Sequence, residues 1–144
     1  MAILLQSGLA HAESAALECI SSTFASGKTF VQFRMTVAAG WKISRASLLL
    51  HATGGTLPKT VEVGLAKNKW SEFDPAVVPV AENMRKYDAA PLKQGWIRIE
   101  LDPAQAQQII HGLAIAAPGS GKPFDLRETM QYSPYLLLEG TRKD

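Results

Sequence analysis

The side chains able to do chemistry in this chain are few and scattered. Three histidines, His11, His51 and His111, share no spacing at which two imidazoles would meet one metal ion, and the lone Cys19 adds no second thiolate. Gly119-Ser-Gly-Lys122 has the outline of a phosphate loop, but Ala116 and Pro123 stand where that motif requires a glycine and a serine or threonine. Ser120 lies between two glycines without the Gly-x-Ser-x-Gly spacing of a nucleophile elbow. Glu72 with Asp74, and Glu100 with Asp102, pair on paper, but acids at strand ends are usually solvated and neither pair is marked as acid and nucleophile of a glycosidase. Asp74, Asp102 and Asp125 are the acids a calcium ion would have to gather, with no calcium-loop signature to gather them. The sequence therefore names no catalytic residue, no cofactor and no metal site.

What remains is aromatic. Trp70, Phe73, Tyr87, Trp96, Tyr132 and Tyr135 fall in loops or at outward strand positions. Flat rings stack against the C–H faces of sugars, which makes Trp70, Trp96, Tyr87 and Tyr132 the candidate ligand-binding residues. The competing reading gives each ring a purely structural task, an indole locking a loop onto the edge of the domain.

The elements that must position these rings read as β-strands. Ala46 to Leu65 holds two buried strands, the apolar run Leu48–Leu50 and the alternating Val61, Val63 and Leu65, with Gly54, Gly55 and Pro58 between them. Thr29–Val37 alternates, with Val31, Phe33 and Met35 inward, and Trp96–Leu101 sends Ile97, Ile99 and Leu101 inward. Asp102 followed by Pro103 caps a short helix over Ala104–Ile110 that Gly112 ends. Leu113–Ala117 and Tyr135–Glu139 are further strands. Ala15–Ile20 is a strand or the tail of a helix, Ser21–Lys28 a polar turn, and Phe124–Arg127 a short strand. Pro79 demotes Ala76–Val80 to an edge strand or extended segment. Ala81–Gly95 reads mainly as loop, with one helical turn over Asn83–Tyr87. Seven or eight short strands with Gly and Pro turns predict an all-β, jelly-roll-like antiparallel β-sandwich with one short helix in a crossover.

Composition fits one globular domain: 144 residues, 47% hydrophobic and 19% charged. A net charge of +2 argues against nucleic acid as a partner, and Lys67-Asn-Lys69, Arg85-Lys86 and Arg142-Lys143 read as solvated turns. Cys19 reads as a small buried apolar residue. No run is long enough for a membrane span. Residues 1–12 include apolar Ala2–Leu5 and the small-x-small triplet Ala10-His11-Ala12, and read either as the remnant of an export signal or as an ordinary N-terminus. The domain proper is set at 13–144.

The order of features resembles the DNRLRE family of secreted β-sandwich domains. The resemblance runs from Thr29–Met35 and Gly40-Trp41-Lys42 through Ile43–Leu50, Trp70-Ser-Glu72, Trp96–Asp102 and Gly112–Ile115 to Phe124-Asp-Leu-Arg-Glu128 and Pro134-Tyr-Leu136. The sequence departs at Arg34-Met35, where the family has Asp, and at Leu126, where it has Ser. The resemblance implies an exported, secreted or periplasmic domain without catalysis, related in fold to carbohydrate-binding modules, with Arg127 and Glu128 pinning the last loop. Two functional expectations follow. One is a polysaccharide-binding module using its loop aromatics. The other is a structural or protein-interaction subunit whose edge strands meet a protein partner.

Overall fold

The computed structural model describes residues 11–54, 56–119 and 121–142. Among the described residues nine strands carry the fold: β1 (His11–Ala25), β2 (Lys28–Phe33), β3 (Trp41–His51), β4 (Thr60–Ala66), β5 (Ala81–Asp88), β6 (Ala90–Pro91), β7 (Trp96–Leu101), β8 (Leu113–Ala116) and β9 (Tyr135–Arg142). They run in the order β5-β4-β8-β2-β1-β9-β3-β7-β6, and neighbouring strands pair antiparallel. The all-β expectation holds. The short helix α1 (Pro103–Gln107) sits between β7 and β8, with the Asp102 carboxylate accepting the Ala104 N–H at 2.9 Å.

Strand β1 makes the sandwich. Its first half, His11–Glu18, pairs with β9; its second half, from Cys19, pairs with β2, and the register shifts between Cys19 and Ser21. That bulge bends one strand from one sheet into the other. One layer holds β1-β9-β3-β7-β6, and the other β5-β4-β8-β2-β1. The core between them includes Val31, Phe33, Leu48, Leu50, Val61, Val63, Ile97, Ile99, Ile115 and Leu136, all buried. The buried strands β3 and β4 thus do not pair. They belong to opposite layers and share the core.

Several expectations need correction. Ser21–Ala25 continues β1, and the turn is only Ser26-Gly27, both with positive φ (53° and 75°), the geometry that suits a two-residue hairpin. His11 and Ala12, within the segment read either as an export-signal remnant or as an ordinary N-terminus, belong to β1; residues 1–10 lie outside the described residues. β2 stops at Phe33, and Met35–Ala38 forms a single 3-10 turn. Ala81–Asp88 is a strand, not a loop. Its register on β4 shifts opposite Val63–Leu65, where Asn83 takes φ 55°. Ala76–Val80 forms no strand; the Asn68 side chain clasps it by accepting the Val80 N–H at 2.8 Å and donating to the Val78 carbonyl at 3.2 Å. Phe124 makes only a lone bridge to Ala52, after which Arg127–Tyr132 winds into a 3-10 turn. After α1, Ile109 is buried and Ile110 is 79% exposed.

Candidate functional site

The outer face of the β9-β3-β7 layer gathers the aromatic rings. Period-2 alternation puts Ile97 and Leu136 into the core, so their neighbours Trp96 and Tyr135 point out. Trp96 lies opposite His51 on β3, and Tyr135 lies opposite Leu49 on β3 and Glu18 on β1. The rings meet edge to face: Trp96 and Tyr135 at 5.5 Å and 67°, Trp96 and His51 at 5.4 Å and 72°. Tyr132 instead stacks flat on His51, 4.0 Å away at 19°.

His51 anchors this cluster. Its Nδ1 lies 2.6 Å from the Asp125 carboxylate and its Nε2 lies 2.8 Å from the Gln94 carbonyl. Each ring nitrogen thus faces an oxygen of another segment. The ring is therefore engaged on both nitrogens and holds Tyr132 and the Gln94 turn in place. Gly95 permits the approach: a Cβ there would stand 2.9 Å from Nε2.

Beside the rings lies a cleft of about 760 Å³, open to solvent and lined in part by Ala16, Glu18, Trp96, Met130, Gln131, Ser133 and Tyr135. Met130 forms its outer lip. It is 81% exposed and holds φ 58°, ψ −89°, a conformation that costs an L-residue on the order of 1–3 kcal/mol and clusters at functional sites.

Arg127, at the end of the cleft, belongs to a latch. Its Nη2 donates to Glu72 at 2.9 Å, and its Nε donates to the other oxygen. Glu72 also accepts the Ser22 N–H at 3.1 Å, while the Ser21 and Ser22 hydroxyls accept the backbone N–H groups of Glu72 and Arg127, each at 2.8 Å. These bonds tie the loop after β4 and the turn before β9 to the bulge of β1. The Arg127 guanidinium beside Glu72 holds that carboxyl below its usual range, against the opposing effect of partial burial. A depressed native pKa stabilises above the unfolded value, about 4.3, and that contribution is lost as pH falls through the native one. The melting-temperature gap between wild type and Glu72→Gln should accordingly be constant above about pH 5 and close as pH drops below about 4. A gap independent of pH would show that the ion pair contributes nothing.

Two of the four candidate ligand residues, Trp96 and Tyr132, come together here. The other two do not. Trp70 is 4% exposed. It lies on the outer face of the opposite layer, against Phe30, Ala66 and Ala114, and its indole N–H donates to the His111 carbonyl at 2.7 Å. Tyr87 is half-buried, its hydroxyl 2.5 Å from the Gln105 side-chain oxygen and accepting the Asp102 N–H at 3.2 Å. Each has its polar atom tied to a neighbouring element. Tyr135, Glu18, Gln131 and Met130 complete the cleft and were not singled out as site residues. Tyr135 alone carried a sequence signal, its outward position beside inward Leu136 and Leu138.

The acids do not assemble. Among the described residues no three histidine, cysteine or acidic side chains group as a metal site would require. Asp102 caps α1 and pairs with Arg85 at 2.7 Å, and Asp125 pairs with His51, so the three candidate calcium ligands are dispersed. Glu100 accepts from Arg45, Ser47 and Arg98, and Arg45 first among them holds its carboxyl low. Cys19 is buried, and that burial pushes its thiol up to about 11. Among the described residues no helix is long and apolar enough to cross a membrane. The chain matches no family model and none of the curated proteins with which it was compared.

Proposed function

We propose that this protein is a non-catalytic, exported glycan-binding module that takes its ligand in the cleft beside Trp96 and Tyr135. The observation that carries this reading is the pairing, in one concave site, of two outward aromatic rings with polar side chains at their rim. Aromatic faces supply the apolar contact a sugar ring needs, and the polar rim supplies hydroxyl partners. The carboxylates near the sheet surface favour binding over catalysis, since Glu72, Glu100 and Asp102 are all held ionised by arginines, whereas a general acid needs its pKa raised. Kinship with DNRLRE-type domains belongs to the same proposal. Its support is that Trp70-Ser-Glu72 and Phe124-Asp-Leu-Arg-Glu128 converge on the bond between Glu72 and Arg127.

Affinity electrophoresis against a broad polysaccharide panel tests this. Retardation by at least one polysaccharide is expected, with Trp96→Ala weakening it about tenfold to a hundredfold while circular dichroism stays unchanged. No retardation across the panel would sink the reading.

A second reading, a protein partner, has one observation in its favour. The loop after β4 exposes Phe73, Val77, Val78 and Val80. Such a partner would take this loop more readily than the sheet edges, because β6 is two residues long and contains Pro91, and Arg85 on β5 is tied to Asp102.

A further inference from the structure

We infer that the cleft takes a single soluble, uncharged glycan chain and not the flat surface of a crystalline polysaccharide. This rests on the glycan-binding reading above and concerns the class of glycan. A crystalline face requires several rings lying in one plane at the surface. Here the rings bordering the cleft cross at 67°, and the rings that could have extended a platform, Trp70 and Tyr87, are held elsewhere by hydrogen bonds to His111 and Gln105. Trp96 and Tyr135 cannot both lie flat against one planar surface. A separate chain, by contrast, can lie in the concavity with Met130 on its outer side.

The charges select among soluble chains. Arg127 has two of its nitrogens engaged by Glu72, so the cation that lines the cleft among the described residues is already neutralised. The carboxylate of Glu18 has no ion-pair partner among the described residues and would repel a uronate or sulfated sugar. Glu18, Gln131 and Ser133 make no side-chain hydrogen bond to other described residues, and these are the groups free to meet sugar hydroxyls. The site runs from β1 at Ala16 and Glu18 across β9 at Tyr135 to β7 at Trp96, so the glycan lies across the strands. Its volume of about 760 Å³ lies within the ordinary range for pockets that bury a small ligand.

The test uses the full chain with three sets of probes: soluble xylan, mixed-linkage β-glucan and galactomannan; alginate and polygalacturonate; and microcrystalline cellulose and chitin. The expected result is retardation by at least one of the first set, little change in that retardation between low and high salt, and no capture by the others. Glu18→Gln, at an exposed position, is expected to weaken the neutral-glycan complex several-fold without loss of fold. Capture by the crystalline polymers, or retardation by the acidic ones alone, with either signal lost in Trp96→Ala, would overturn this inference and leave the glycan-binding reading standing. Binding to none of the three sets would overturn both.

Discussion

Trp70→Ala should destabilise the protein by about 3–5 kcal/mol, the range for deleting a large buried aromatic side chain. The outer face of the β5-β4-β8-β2 layer is built to receive this ring. Ala66 and Ala114 leave it low, Phe30 meets the indole edge on at 6.1 Å and 68°, and Met84 packs against the cluster. The loop after β4 lies over that layer, with the Trp70 carbonyl accepting from Gln32 at 2.9 Å and Glu72 latched to Arg127. Removing the ring empties the space beneath the loop and leaves the His111 carbonyl without its donor. Trp70→Phe keeps most of the apolar contact and loses the N–H, so it should cost less, on the order of 1–3 kcal/mol. Urea unfolding of the two variants distinguishes packing from hydrogen bonding. Equal losses would mean that the bond to His111 dominates. A Trp70→Ala protein as stable as wild type would show that the loop does not depend on its indole.

Gly112→Ala should be comparably damaging for a different reason. Gly112 enters β8 at φ +100°, and a Cβ there would collide with the Val31 carbonyl oxygen on β2. The same residue's carbonyl accepts the Ala66 N–H at 3.0 Å, so the backbone is fixed from both sides and cannot retreat. The expected loss is on the order of 3 kcal/mol or more, combining a strained φ with a backbone clash. Gly119 offers a matched control: its φ is +101°, but nothing lies within 4 Å of its Cβ position. Gly119→Ala should cost only about 1–2 kcal/mol, from conformation alone. Thermal denaturation of both variants separates steric from dihedral strain, and equal losses would refute the clash.

The contrast between Trp70 and Trp96 shows what the sequence could carry. Trp96 sits in a strand whose alternation is complete, so its outward direction followed from Ile97 and Ile99. Trp70 sits in an aperiodic loop, and its destination is a hollow formed by Phe30, Ala66 and Ala114 on three separate strands. Nothing local points there. The cap of α1 and the core of β3 were equally legible because each rests on neighbouring residues. β5 was not, because Ala81-Glu-Asn-Met-Arg-Lys-Tyr-Asp88 has the charged surface of a protected edge strand and a bulge at Asn83 that breaks its alternation. Ser21 and Ser22 read as a turn because they are polar, yet both are buried, their hydroxyls satisfied by Glu72 and Arg127. The bond between His51 and Asp125, 74 residues apart, is of the same kind.

The bent strand β1 also sets the order in which the fold can assemble. Its first half needs β9, with His11 opposite Arg142 and Glu18 opposite Tyr135. Its second half needs only β2, across a two-residue turn. The hairpin can therefore form early, while the first half waits for more than a hundred intervening residues, and β3 likewise needs β9 before its outer side is paired. Such distant pairings carry a loop-closure cost and slow folding. Without β9, the apolar run Leu48–Leu50 has one unpaired strand edge, the kind of edge on which another chain can add a strand.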